Sequence, residues 1–167
     1  MKRLILVRHA KSSWKNAGLS DLDRPLNKRG KCDAPRMGEH LARQGVKPDI
    51  ILASPAKRAR KTAQLLAAAL PGGAERILFD PALYEASAKI LLARLRALDE
   101  TWQEVLLVGH NPGLTDLANL LTAIGIDNLA TCGVVVADLA LDSWREVEAG
   151  CGKPVLTLTP RELPDPE

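Results

Sequence analysis

The chain has 167 residues, 46% hydrophobic and 26% charged, with 23 Lys+Arg against 20 Asp+Glu for a formal net charge of +3. A chain of this length buries roughly 70% of its unfolded surface, so one globular domain needs neither a disulfide nor a structural metal to hold its core. Cys32, Cys132 and Cys151 are widely spaced with no CxxC pair, which fits free thiols in a reducing, cytoplasmic setting. The apolar stretch Leu4 to Val7 is too short for a signal peptide, and no segment reaches the roughly 20 apolar residues that span a bilayer. Secretion, membrane insertion, a disulfide scaffold and wholesale disorder are set aside.

Charge is unevenly spread. Residues 1–62 hold 16 Lys+Arg against 5 Asp+Glu (net +11), whereas residues 63–167 hold 7 against 15 (net −8). Such a cation-rich first third suits nucleic acid, an anionic membrane or a small anionic ligand. Aromatic residues are only 3% of the chain, too few for a base-stacking platform, so nucleic acid is disfavoured.

In chain order, strand and helix signals alternate. Lys2 to Val7 is an apolar run without polar alternation, the pattern of a strand buried on both faces. Asp33 followed by Pro35 reads as a helix start, with Met37 and Leu41 on one face and Gly45 as the stop. Asp49 to Ala53 is a second strand. Ser54 as N-cap with Pro55 at the first helical position opens a helix through Gln64, stopped by Pro71-Gly72-Gly73. Ile77 to Phe79 is a short strand, Ser87 to Leu98 a helix with Leu91, Leu95 and Leu98 on one face, and Val105 to Val108 a strand. A helix carrying Leu114, Leu117, Leu120 and Leu121 follows Pro112-Gly113. Gly133 to Leu139 and Val155 to Leu158 complete the sheet. The expected architecture is α/β, a three-layer α/β/α sandwich around a mostly parallel central sheet, in one domain over residues 1–159 with a frayed tail at 160–167.

In an open α/β sheet, ligands collect at the carboxyl ends of the strands. One strand ends in Arg8-His9, another in Ser54-Pro55 with Arg58 one turn into the next helix, and a third in Gly109-His110-Asn111-Pro112-Gly113. Two arginines and two imidazoles without matching acids make an anion site. Phosphate fits best, because a guanidinium fork donates bidentately to phosphoryl oxygens and stabilises charge in phosphoryl transfer. A neutral imidazole is also a nucleophile toward phosphorus, giving a covalent intermediate that water cleaves. With no Walker A loop and no GxGxxG, a nucleotide cradle is not the source of that chemistry.

The stretch Leu6-Val7-Arg8-His9-Ala10-Lys11-Ser12-Ser13-Trp14 resembles the Arg-His-Gly signature of the histidine phosphatase superfamily, which includes the phosphoglycerate mutases. Asp23-Arg24-Pro25-Leu26 with Arg29-Gly30, then Ser54 to Thr62, then Val108 to Gly113 are similar to the small SixA-type phosphohistidine phosphatases. The resemblance spans residues 2 to about 138 and implies a phosphoglycerate mutase-like fold. It implies His9 as the nucleophile, with Arg8, Arg58 and His110 binding the phosphoryl oxygens, Ser12 adding a hydroxyl, and Glu85 in Leu83-Tyr84-Glu85 as proton donor. It implies no metal and no organic cofactor.

Ala10 stands where the signature usually has Gly, Lys11 replaces an acid common in the mutases, and Lys15 falls where they often have Asn. Long insertions over the site are also lacking. These departures argue against a sugar-phosphate mutase and for an open, shallow site that takes a phosphorylated protein or a small phosphoester. A phosphorylated imidazole leaves readily, whereas an alkyl phosphoester needs a placed general acid, so Glu85 bears on the choice. Trp14 is expected to be buried rather than packed at the site, His40 exposed, and the three cysteines non-catalytic. The chain is expected to be a monomer without nucleic-acid or membrane partners. Two other readings stand beside the phosphatase. One is a non-catalytic phosphate- or phosphoprotein-binding module. The other is a metal-dependent hydrolase with His9 and His110 as ligands, weakened by the absence of an HxH or HxxxH pair and by the arginines.

Overall fold

Strand β1 (Lys2–Arg8) lies inside a six-stranded sheet, and its side chains alternate between two apolar layers. Leu4 and Leu6 point into one, Ile5 and Val7 into the other. The same alternation holds for β2 (Ile50–Ala53) and β4 (Glu104–Gly109), which is why these segments read as unbroken hydrophobic runs. The computed structural model describes residues 1–164. With β3 (Ile77–Phe79), β5 (Val134–Leu139) and β6 (Gly152–Leu158), the strand order is β3-β2-β4-β1-β5-β6. The pairings from β3 to β1 are parallel, and β5 runs antiparallel to both β1 and β6.

Helices α1 (Lys28–Arg43) and α2 (Lys57–Ala69) pack on one face through Met37, Leu41, Ala63 and Leu66. The opposite face is covered by α3 (Ala88–Arg96) and α4 (Gly113–Thr122) through Leu91, Leu95, Leu114 and Leu117. The fold is therefore the three-layer, mostly parallel α/β arrangement that the sequence predicts. No helix among the described residues is long and apolar enough to cross a membrane.

Two helix starts differ from the sequence reading. The first helix opens at Lys28 rather than at Asp33, because the Asn27 side chain caps it by accepting from the Gly30 amide at 2.9 Å. Gly30 is required there, since a Cβ would sit 2.2 Å from the Lys11 carbonyl oxygen. Pro35 is consequently inside the helix, and the Asp33 carboxylate pairs with Arg29 and Arg36 instead of capping. The second helix begins at Lys57 with Ala56 as N-cap, because the Ser54 hydroxyl is turned toward His110 and the one backbone amide it accepts is that of Ala56, at 3.2 Å.

The start of the expected tail is also ordered against the domain. Pro160–Glu162 form a 3-10 turn, Leu163 is buried in the α1/α2 layer, and Arg36 donates to the Pro164 carbonyl. Residues 165–167 lie outside the described residues.

Candidate active site

Parallel pairing brings the site together. Arg8 is in register with Gly109 and Ala53 with Val108, so the residues just past these strands, His9, His110 and Ser54, emerge at one edge. The backbone holds this edge tightly: the His9 amide donates to Gly109 at 3.0 Å, and the Cys132 amide donates to the carbonyls of Arg8 and His9 at 3.0 and 3.1 Å. From α2, Thr62 accepts the Ala10 amide at 2.9 Å while donating to the Arg58 carbonyl at 2.7 Å, fastening the helix to the turn that carries His9. Ala10 itself is fully buried, so the methyl group in place of glycine packs into the α1/α2 layer.

The hydrogen bonds set both imidazole tautomers. His9 Nδ1–H donates to the Ala10 carbonyl at 2.8 Å, leaving the Nε2 lone pair facing Arg58 Nε–H at 3.4 Å. His110 Nε2–H donates to Ser54 Oγ at 2.8 Å, and its Nδ1 lies 3.5 Å from an Arg58 terminal nitrogen. The ring centroids of His9 and His110 are 5.1 Å apart. Burial is the main force holding both rings neutral. It pushes His9 down to about 3, helped by the charges of His110, Arg58 and Arg8. It pushes His110 to about 4, helped by Arg58 and Arg8 against the opposing pull of Asp21.

Arg8 donates to the Leu129 carbonyl at 3.0 Å, and its buried Nε–H has no hydrogen-bond partner among the described residues, a donor set aside for something else. Burial and the neighbouring Arg58 push Arg8 below its ordinary pKa, so an anion here relieves a real electrostatic cost. Asn111 donates to the same Leu129 carbonyl at 2.8 Å and accepts from Thr115, tying the loop that holds Arg8 to the start of α4.

Arg58 already grips an anion. Its terminal nitrogens donate to the Asp21 carbonyl at 2.6 Å and to the Asp21 carboxylate at 2.9 Å. Asp21 also accepts from the Tyr84 hydroxyl and from Arg24. The Tyr84 bond, followed by Arg58, holds the Asp21 carboxyl at about 2, and in return Asp21 pushes the Tyr84 phenol up to about 12. The Tyr84 ring stands edge-on to His110, with centroids 5.5 Å apart.

Of the residues singled out from sequence, Arg8, His9, Arg58 and His110 converge. Ser12 lines a shallow cleft of about 390 Å3 beside His9, with its oxygen accepting from Arg24. Glu85 is on the rim: it is exposed, adopts a left-handed backbone (φ 52°), and makes no described hydrogen bond to the four converging residues. The residue after it lies close against the start of α4, where a Cβ on Gly113 would sit 1.9 Å from the Ala86 carbonyl oxygen. Trp14 is not buried as expected but 77% exposed, because its ring stacks 3.6 Å from the Arg24 guanidinium at the cleft mouth. His40 is half-buried rather than exposed. Cys132 is a core residue whose thiol burial pushes up to about 12, consistent with an inert side chain.

Asp21, Arg24, Tyr84, Ser54 and Thr62 complete the constellation, and sequence reasoning does not assign them there. Asp21 and Arg24 carry a recoverable signal, a carboxylate and a guanidinium three residues apart ahead of a proline. Among the described residues, no three His, Cys, Asp or Glu side chains group as metal ligands.

Comparisons with known proteins bear on the family and the fold. The profile of the histidine phosphatase superfamily (branch 1) matches residues 4–100. An uncharacterised chloroplastic protein of Arabidopsis thaliana is 33% identical over 161 residues, covering 90% of this chain and 72% of that protein. A crystal structure described as a SixA phosphohistidine phosphatase of Agrobacterium tumefaciens superposes with a TM-score of 0.77 at 29% identity, covering 95% of this chain and 98% of the other. A protein histidine phosphatase SixA complexed with tungstate shares the fold, with a TM-score of 0.80 at 23% identity and coverage of 95% and 97%.

Proposed function

The chain belongs to the histidine phosphatase superfamily, and on that premise we propose that it hydrolyses phosphohistidine on a protein through a covalent phosphoryl group on His9. The observation that carries the reading is the neutral His9 ring, with Nδ1–H fixed on a carbonyl and the Nε2 lone pair directed at a guanidinium-lined pocket. A ring that is not protonated at neutral pH needs no base to become a nucleophile.

The phosphoryl group displaces the Asp21 carboxylate from Arg58 and meets the unpartnered Nε–H of Arg8. Its negative charge offsets the burial and the arginine charges that hold His110 neutral, so His110 takes a second proton from solvent on Nδ1 and donates to a phosphoryl oxygen. His9 Nε2 attacks phosphorus in line as the bond to the leaving imidazole breaks, and that imidazole leaves with a proton from solvent. Water then cleaves the His9 phosphoramidate, releasing inorganic phosphate and restoring the free ring. The arginines spread the transition-state charge throughout.

Phosphohistidine is favoured over alkyl phosphoesters because Glu85 is on the exposed rim, and a phosphorylated imidazole makes the least demand on a general acid. The open cleft and the exposed Trp14 suit a substrate displayed on a protein surface. The test is phosphate release, in EDTA, from a phosphohistidine peptide and from p-nitrophenyl phosphate. Chelator-resistant turnover biased to the peptide and abolished in His9→Ala supports the reading. No turnover on either substrate with phosphate still bound favours a binding module, and chelator-sensitive turnover favours a metal-dependent hydrolase.

A further inference from the structure

A second cleft, of about 550 Å3, opens beside the phosphoryl pocket between the Asp21–Asp23 turn and the outer face of α1 and α2. Apart from Lys31, its walls are one or two residues in sequence from residues of the site. Leu22 and Asp23 follow Asp21, Pro55 follows Ser54, and Lys57 precedes Arg58.

The cleft is lined by four exposed cations: Lys31, Lys57, Arg60 and Lys61. Elsewhere on the surface Arg3 pairs with Asp138, Arg29 and Arg36 with Asp33, and Arg94 with Asp80, while Arg76 and Arg96 donate to backbone carbonyls. None of the four cleft cations has a carboxylate within ion-pair distance among the described residues. The one acid lining the cleft, Asp23, accepts from Ser20 Oγ at 2.9 Å. Arg60 donates to the Pro55 carbonyl at 3.2 Å and lies 5.5 Å from the centre of the Phe79 ring. Four like charges around one concavity repel each other and lose least when an anion enters. Leu22, 42% exposed at the mouth, and Pro25 add apolar contact that inorganic phosphate does not use. The fit is to a chain bearing several carboxylates.

We propose that this cleft docks an acidic segment of the protein whose phosphohistidine enters the neighbouring pocket, so that Lys31, Lys57, Arg60 and Lys61 select the substrate protein while His9 performs the chemistry. The proposal rests on the phosphatase reading for its substrate and on the cleft alone for its docking. Electrostatic docking of this kind acts on encounter and on KM rather than on the chemical step.

Two peptides of equal length, phosphorylated on a central histidine with phosphoramidate and flanked by glutamates or by glutamines, test it. At low salt the glutamate peptide is expected to show a KM about tenfold lower than the glutamine peptide, a preference that high salt erases. In Lys31→Glu/Lys61→Glu the preference vanishes while phosphoramidate itself is turned over at the wild-type rate. Equal KM values in the wild type, or a preference that survives the charge reversal, overturn the proposal.

Binding of a fluorescein-labelled, unphosphorylated glutamate peptide, followed by anisotropy with wild type and His9→Ala, separates docking from catalysis. Binding that disappears in Lys31→Glu/Lys61→Glu supports the cleft even where no peptide is hydrolysed, a result in which only the phosphatase reading fails. Absence of binding overturns the docking. So does tighter, Lys31- and Lys61-dependent binding of an oligouridylate of the same length, which assigns the cleft to RNA.

Discussion

The floor and the rim of the active site are built differently. Arg58, His110 and His9 on the floor are 5%, 6% and 7% exposed, and each is fixed by the end of a strand or the first turn of a helix. On the rim, Trp14 is 77% exposed and Leu22 42%, and Asp21, Arg24, Tyr84 and Glu85 come from turns. The floor carries the electrostatic cost of a buried guanidinium, Arg58, and a half-buried one, Arg8, against two imidazoles and is preorganised for one charged guest. The rim pairs that floor with a carboxylate of its own, Asp21, which the proposed mechanism has the substrate displace. The floor therefore determines what chemistry occurs, and the rim determines what reaches it.

The largest break in this contrast comes from the floor. Arg58→Ala removes the guanidinium that touches His9 and faces His110, and it is expected to lower kcat/KM by about 10² to 10³-fold in phosphate-release assays. A loss below tenfold would mean that Arg58 serves only to hold Asp21.

Acid sensitivity comes next. Both imidazoles titrate below the ordinary value of 6.5, so the unfolded chain takes up protons first as pH falls. Their contribution to stability is complete above about pH 6.5 and is lost between there and about pH 3 to 4. Urea unfolding at pH 7 and at about pH 4.5 is expected to show a loss on the order of a few kcal/mol. In His9→Gln/His110→Gln the loss is expected to shrink, and an unchanged loss places the titrating groups elsewhere.

Changes on the rim are expected to be smaller. Asp21→Asn weakens the internal competitor for Arg58, so inorganic phosphate should inhibit more strongly, by up to about tenfold. Weaker inhibition would show that Asp21 positions Arg58 instead of competing with its guest. Glu85→Gln should change turnover of a phosphohistidine peptide by less than about twofold while lowering hydrolysis of an alkyl phosphoester more. Equal, large losses on both substrates would make Glu85 a general acid for both.

The same division governs what the sequence reveals. The floor is legible because strands buried on both faces announce themselves as apolar runs, and a parallel sheet sends whatever follows them to one edge. Arg8, His9, Arg58 and His110 are found by that rule. Asp21 sits in a one-turn 3-10 segment and Tyr84 just after another, both without periodicity, and they meet through a tertiary contact between residues 63 apart in the chain. Asp33-Pro35 and Ser54-Pro55 mislead for a common reason. Each polar side chain that looks like a cap is claimed by other side chains, Arg29 and Arg36 within the same helix in one case and the distant His110 in the other. Trp14 misleads because burial statistics do not anticipate an indole held outside by a guanidinium.

The covalent step is the centre of this account, and trapping it is the most direct test. Enzyme mixed with 32P-phosphoramidate in EDTA and quenched in alkali within a single turnover should carry one acid-labile, alkali-stable phosphoryl group on Nε2 of His9. That label should chase into inorganic phosphate and be absent from His9→Ala. Turnover without any covalent label, or a label on another residue while His9→Ala remains active, would contradict it.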